Sequence, residues 1–523
     1  MGAYTLNPVD VSIVIGYLLF VVILGFVIGS KHKDAEDYFL AGRNLTWPLI
    51  GFSLFASNMS SNSLVGLTGA GYVTGFSVFS YEWMAVLVLI IFAVFFLPFY
   101  LKSRIYTVPE YLERRFNYFV RAYASVIAII LNVLVDIAAT LYAGGVLIQL
   151  IFPQFPLWMI IGALAIIAGL YTISGGLSAV VYTDAVQAVI LIAGSMIITW
   201  FAWEQSGGFS EVMKITEPSH MNIIKSAKDS ELPWPGLFGV FLIGFYFWGT
   251  NQYITQRTLA AKSTLQGQWG SMFAGFLKLS ILFIMIFPGV FARVLYPEVE
   301  NVDQLYPTML FDLLPTGILG LVLAGFIAAL MSSIDSGLNS VSTLVTMDFV
   351  AKYRPSKSPE SLMKVGRWVT FIVMIIATAW APQITHFDKL WDYLQQALSW
   401  FCPPIIALFI VGLLWKKANT TGAISAIIFG SAITIFSIAT QGAPWKPHFL
   451  YMATIHTALS ALAMIIGSFF GQHKTSDELK NVVWSIDSYR AETAELVNRP
   501  WYQNYRYHGL ILVAVVILIL LVY

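Results

Sequence analysis

Charged residues are what this 523-residue chain has least of. Asp, Glu, Lys and Arg make up 11% of it, against roughly 25% in an ordinary soluble domain. They nearly cancel, leaving a net charge of +1. No Lys/Arg-rich tract occurs, so nucleic acid and other polyanions are not expected as partners. Cysteine is almost absent too. Cys402 stands alone, which excludes an intrachain disulfide and a cysteine-based metal site. Walker loops and HExxH or GxSxG patterns are missing. No stretch between apolar segments is long enough for a folded catalytic domain, so an enzyme is not expected. What is there is apolar: 58% hydrophobic residues and a mean hydropathy of +0.75. A soluble core cannot absorb that much apolar surface. The chain reads as an integral membrane protein, and its long apolar runs read as helices, so the class is all-α.

A helical span needs about 20 mostly apolar residues, which gives about 14 transmembrane helices. Their cores are 10–30, 46–72, 79–101, 122–151, 157–173, 180–204, 235–256, 271–296, 316–349, 367–385, 390–415, 420–440, 449–471 and 507–523. The first apolar segment, 11–28, has no basic region before it and no small-residue cleavage site after it. It is expected to be a retained helix rather than a signal peptide. Loop charge sets the orientation. With the N-terminus outside, the inside loops carry Lys31/Lys33, Lys102/Arg104/Arg114/Arg115/Arg121, Arg257/Lys262, Lys352/Arg354/Lys357/Lys364/Arg367, Lys416/Lys417 and the segment 474–506. Roughly 22 of the 29 Lys and Arg then face inward, as the positive-inside rule asks. Both termini are expected outside, loops 207–233 and 298–315 external, and segment 473–506 cytoplasmic, in the plasma (cell inner) membrane.

Two spans are interrupted. Residues 53–66, SLFASNMSSNSLVG, hold seven Ser or Asn in an otherwise apolar run, and residues 244–258, GFYFWGTNQYITQRT, break the seventh span. The breaks lie five spans apart. Two five-helix inverted repeats, each beginning with a discontinuous helix, give that spacing, and their unwound carbonyls build cation and substrate sites at the midplane. The repeats are expected at 46–204 and 235–415 in one transmembrane domain, after a leading helix at 10–30 and before additional helices at 420–523. A third polar cluster, GFIAALMSSIDSGLNS at 325–340, puts Ala329, Ser332, Ser333 and Ser336 on one helical face with Asp335 beside them. Hydroxyls and carbonyls suit a hard cation such as sodium.

Glu82, Lys278 and Gln395 lie at membrane depth, where polar residues are functional candidates by default. Carboxylate, ammonium and amide among Trp and Tyr faces fit a polyol site. A mutual Glu82–Lys278 ion pair and an interhelical hydrogen bond from Gln395 are the structural alternatives. Asp184 stands at the expected start of the sixth span, as an N-cap completed by Gln187, as an ion ligand, or as both.

The segments DYFLAGRNLTWPLIGFSLFASNMSS, GLTGAGY, YEWM, GGLSAVVYTDAVQ, LPWPG, NQYITQRTLAAK, LMSSIDSGLNSVSTLVTMDF and GLLWKK, in that order, resemble the solute:sodium symporters over nearly the full length, and within them the sodium/glucose cotransporters. The resemblance implies the LeuT-type five-plus-five inverted repeat with an additional helix in front. It implies a main sodium site at the Ala56, Met59 and Ala329 carbonyls and the Ser332 and Ser333 hydroxyls. Asn58, Glu82, Lys278 and Gln395 match sugar-binding positions, and Trp248 matches a tryptophan beside the inner gate. Ser63 stands where sugar carriers have His or Gln, Ala85 where one has Ser and Gly244 where one has Asn. Phe247 takes the place of a gating Tyr, with Tyr81 as the other gate residue. A related sialic-acid carrier holds a second sodium at positions matching Asp184, Ser332, Asp335 and Ser336. Here the Asp335 carboxylate replaces a hydroxyl, and a proton could take the ion's place. The implied activity is sodium-coupled import of a monosaccharide or similar polyol by alternating access. Myo-inositol, sialic acid or a carboxylate are the alternative solutes, and a substrate-gated sensor is the alternative function. Expected partners are sodium ions, the solute and the bilayer, with no obligate protein partner.

Overall fold

The computed structural model describes residues 4–29, 35–387, 389–441, 443, 445 and 447–522. Lys31 and Lys33, expected in an inside loop, lie outside these residues. The described chain is helical. In hydrocarbon a backbone has no water to bond, so each span must satisfy its own N–H and C=O groups.

Helix α1 (Pro8–Gly29) leads. The first interrupted span is α2 (Trp47–Asn58) and α3 (Ser61–Thr74). Then follow α4 (Ser80–Ile91), α5 (Tyr118–Ile151), α6 (Leu157–Gly169) and α7 (Gly176–Ser206). The second interrupted span is α8 (Trp234–Thr250) and α9 (Gln252–Leu259). The remainder is α10 (Thr264–Leu295), α11 (Ile318–Tyr353), α12 (Pro359–His386), α13 (Leu390–Leu414), α14 (Thr420–Ala439), α15 (Phe449–Ser468), α16 (Ile486–Val497) and α17 (Tyr505–Val522). Ten described helices are long and apolar enough to cross a membrane, while Pro8–Val21, Leu157–Gly169 and Trp234–Thr250 are apolar but shorter.

Helix α11 sits at the centre. From Ala328 to Thr343 it is buried on every side, as a helix with apolar and small residues all round must be. It packs against α7, α5, α12 and both interrupted spans. A second group, α2, α4, α8 and α10, packs together beside it. The flanking helices expose apolar side chains instead: Trp368 on α12, Ile428 and Ile435 on α14, Leu510 and Leu518 on α17. That is the surface a bilayer covers.

Two expectations are corrected. Asp184 does not cap a helix. The chain breaks earlier, at Gly176, where φ is +54°, a conformation glycine adopts without penalty. Asp184 therefore lies two turns inside α7. Arg257 is not a loop charge. It lies on α9 and is 1% exposed. Arg115 and Arg121 are also buried rather than displayed: Arg115 bonds the Gly412 and Trp415 carbonyls, and Arg121 is paired with Asp348 at 2.5 Å and Glu113 at 2.6 Å. A side chain long enough to turn inward from a helix end is indistinguishable, in sequence, from one that stays in the loop.

Candidate functional site

The first break is made by three polar or flexible residues. Asn58 ends α2, Met59 leaves helical geometry at φ −83°, ψ 67°, and Ser60 is extended at φ −88°, ψ 173° before α3 begins. The ladder does not close across it. Met59 N–H bonds the Phe55 carbonyl (2.8 Å), but the N–H groups of Ser63 and Leu64 both turn to the Ser60 carbonyl (3.0 Å each). Among the described residues, no backbone N–H reaches the Ala56 or Met59 carbonyl from across the break. Buried carbonyls without partners are costly, and a cation removes that cost.

Ala329, Ser332 and Ser333 lie on the stretch of α11 that packs against α2 and α3, and all are buried. Tyr253 donates to the Ser57 carbonyl (2.7 Å). The neighbouring Ser333 hydroxyl is left buried without a hydrogen bond. Ser332 donates to Asp184 Oδ1 at 2.5 Å, which leaves its oxygen lone pairs free. Carbonyl and hydroxyl oxygens are the donors a hard cation such as sodium takes.

The second break is capped rather than open. Asn251 is extended (φ −76°, ψ 121°), and its Oδ1 accepts from Tyr253 N–H (3.0 Å) to start α9.

Between the breaks lies a cavity of about 90 Å³. Asn58, Ser63, Tyr81, Glu82, Phe247, Trp248, Lys278 and Gln395 all line it. Lys278 forms an ion pair with Glu82, donates to Asn58 Oδ1, and holds its Nζ 5.2 Å from the Trp248 ring centroid. The ion-pair alternative is thus realised, inside the cavity wall. Gln395 presents a buried Oε1 with no partner. Ser63 is turned back on the break, donating to the Asn58 carbonyl (2.8 Å). Gly244 leaves open space, since an added Cβ would meet only Val88 at 3.7 Å.

Two residues in or beside this region escape sequence reasoning. Asp136, on α5, lines the same cavity with its Oδ2 buried and unbonded. Its position inside span 122–151 is the signal that singled out Glu82 and Lys278, and it applies here equally. Arg257 is the other. It ties Ser53, Ser57 and Ser336 together beside Asp184. Ser53 and Ser57, four residues apart on one face of α2, were the available clue to a polar partner there.

The cavity is shut toward the start of α13 by two rings. Tyr81 and Trp391 meet edge to face at 5.2 Å and 84°. On their far side is a wider vestibule of about 490 Å³, which Tyr81 and Trp391 also line. Lys389 bridges Glu231 (3.1 Å) and Asp392 (3.8 Å) there. Phe247 forms the opposite wall of the cavity, stacked edgewise on Trp248 (5.6 Å) and leaning on Tyr253. At about 90 Å³, against roughly 300–1,000 Å³ for a ligand pocket, the walls must separate to admit a solute.

This arrangement belongs to a transporter with two discontinuous helices. The chain is a member of the sodium:solute symporter family, whose sequence model matches residues 38–430. It is a sodium-coupled solute carrier, not an enzyme, and a multi-pass membrane protein. It is similar to sodium/glucose cotransporter 1 of Oryctolagus cuniculus, at 32% identity over 94% of this chain and 83% of that protein. It is also similar to sodium/myo-inositol cotransporter 2 of the same species, at 33% identity over 92% and 79%. Among solved structures, a substrate-bound outward-open sodium-coupled sialic acid symporter superposes with a TM-score of 0.79 at 24% identity, over 90% of this chain and 99% of that one. A nucleobase-cation-symport-1 family transporter in a closed conformation superposes at 0.58 and 10% identity, over 85% and 97%. These superpositions establish the LeuT-type fold.

Proposed function

We propose that the carrier imports a neutral sugar or polyol with sodium across the plasma membrane. The observation that carries this is the charge state of the cavity. Among the described lining residues Lys278 is the one basic side chain, and it is already neutralised by Glu82. The remaining titratable group, Asp136, is an acid rather than a base. The wall therefore offers an anionic solute no free cation, whereas a polyol offers hydroxyls to Asp136, Gln395 and Asn58 and a ring face to Trp248. The relatives named for glucose and myo-inositol support the same class.

Sodium binds the Ala56, Met59 and Ala329 carbonyls with Ser332 and Ser333, and so fixes the angle between α2 and α3. That places Asn58 against Lys278 and prepares the cavity. Tyr81 and Trp391 form the outer gate, and Phe247 with Trp248 the inner one. The repeats 46–204 and 235–415 rock against each other around the site, with both termini and the vestibule outside. When sodium leaves to the cytoplasm, the carbonyls of the break lose their cation and the solute loses its cradle.

Uptake of labelled glucose, galactose, myo-inositol and sialic acid into proteoliposomes, with sodium or choline outside, tests the assignment. At least one neutral solute should accumulate, in sodium only. Sodium-driven uptake confined to sialic acid would overturn it.

A further inference from the structure

The solute cavity has two unlike sides. The first break, α4, α10 and α5 bring polar side chains to it: Asn58, Glu82, Lys278 and Asp136. Helices α8 and α13, which pack against each other, build an apolar wall. On α8 the lining residues include Val240, Ile243, Gly244 and Phe247. They stand at i, i+3, i+4 and i+7, so they form one stripe along the helix. On α13 Leu394 and Leu398, one turn apart, extend it. Val240, Ile243, Leu394 and Leu398 are buried, and none of the six has a side chain that can hydrogen-bond. The stripe has a gap at Gly244. An added Cβ there would meet only Val88, at 3.7 Å, which is ordinary contact distance. The gap therefore has room for one methyl group. Gln395, beside Leu394, offers an unpartnered Oε1 that takes one ring hydroxyl.

We propose that the preferred solutes are 6-deoxyhexoses, sugars whose C6 is a methyl instead of a hydroxymethyl, with that methyl seated on the α8–α13 wall at Gly244. The inference deepens the neutral-sugar reading and rests on it. In a pyranose ring C5 lies opposite C2. A sugar whose C2 and C3 hydroxyls meet the polar side therefore projects C6 the other way, onto the wall. A hydroxymethyl there would bury its hydroxyl against side chains that offer no partner, and an unpaired buried hydroxyl is costly. A methyl in the same place buries apolar surface and is favoured. A ring carbon that merely lacks its hydroxyl does not reach the wall, because its hydrogen stays close to the ring. A polyol hydroxylated on every carbon, such as myo-inositol, has no edge that suits the wall and is the poorer solute.

Sugars that differ only at C6 test the inference in pairs: D-galactose with D-fucose, D-glucose with 6-deoxy-D-glucose, L-galactose with L-fucose and L-mannose with L-rhamnose. The half-saturating concentration of each is read from the solute-evoked current of the reconstituted carrier in sodium. In at least one pair the deoxy sugar should saturate at a concentration about ten- to hundredfold lower than its parent, the range an apolar pocket achieves against an added hydroxyl. Gly244→Ser fills the gap and supplies a hydroxyl, and Ile243→Thr supplies one on the same stripe. Each should shrink that ratio toward one. The ratio is read within one protein, so a poorly folding variant lowers both currents without moving it, and the wild-type ratio then decides alone. Parents that saturate as readily as their deoxy partners in every pair, or a ratio unmoved in both folded variants, overturn the inference. Transport of myo-inositol but of none of these sugars also overturns it and leaves the neutral-solute reading standing. Absence of sodium-driven uptake of any neutral solute would instead overturn that reading.

Discussion

Gln395 and Ser333 both carry buried polar atoms without partners, yet they are assigned to different ligands. Their variants should separate. Gln395→Ala removes a solute contact and should weaken solute affinity roughly ten- to hundredfold with the sodium requirement unchanged. Ser333→Ala removes an ion ligand and should raise the half-saturating sodium concentration roughly tenfold at saturating solute. Uptake titrated in both ligands checks the pair; equal losses in both titrations for both variants would deny separate sites. Glu82 poses a different question, because it holds Lys278 as well as the cavity wall. Glu82→Gln strands a buried ammonium and should cost about 3–5 kcal/mol of stability, seen as a lower unfolding temperature in detergent. Adding Lys278→Met should restore the temperature but not transport. At this scale the sequence was legible where a polar residue interrupts an apolar run, as at Glu82, Lys278 and Gln395. It was less legible at Arg257, which follows the run and looks like a loop charge, and Asp136 was passed over although the same depth rule covers it.

The breaks decide which elements face the ligands. Asn58, Met59 and Ser60 make the first, and it was visible as polar residues in a span. The second is visible as Asn251, whose side chain caps the half-helix α9. The start of α7 was not visible, because a positive φ at Gly176 leaves no compositional mark beyond a glycine among other glycines. Helix α13, which brings Trp391 and Gln395 to the cavity, is fixed at its start by Asp303. The Asp303 carboxylate accepts from Leu390 N–H (3.2 Å) and lies 3.4 Å from the Tyr142 hydroxyl. Burial pushes its carboxyl up to about 6 and the Asp392 charge adds to this, with the Leu390 and Tyr142 hydrogen bonds opposing. An unfolded Asp titrates near 3.9, so between roughly pH 4 and 6 the folded chain binds the extra proton. Asp303 therefore favours the folded state fully only below about pH 4, and that contribution is lost as pH rises through about 6. Asp303→Asn should remove this slope. Unfolding temperatures of wild type and variant at pH 4.5 and 7 should diverge by more at the higher pH; parallel curves would contradict the assignment.

For the molecule as a whole, hydropathy made the membrane class and the helical architecture legible, because lipid leaves a chain few other options. The closed state was not legible. The meeting of Tyr81 with Trp391 and the clasp of α16 onto α10, where Gln268 bonds Glu492 at 2.6 Å, join segments far apart in the chain. One sodium moving with a neutral solute carries one net charge inward per cycle. A potential of about 100 mV then contributes roughly 2.3 kcal/mol, or nearly 50-fold accumulation. One sodium moving with a monoanion carries none. The solute-evoked current in a reconstituted membrane therefore tests the central claim most directly. The account predicts inward positive current on adding a transported neutral sugar or polyol in sodium, and no current in choline. A solute that is taken up with sodium but evokes no current, or a current that persists in choline, would contradict it.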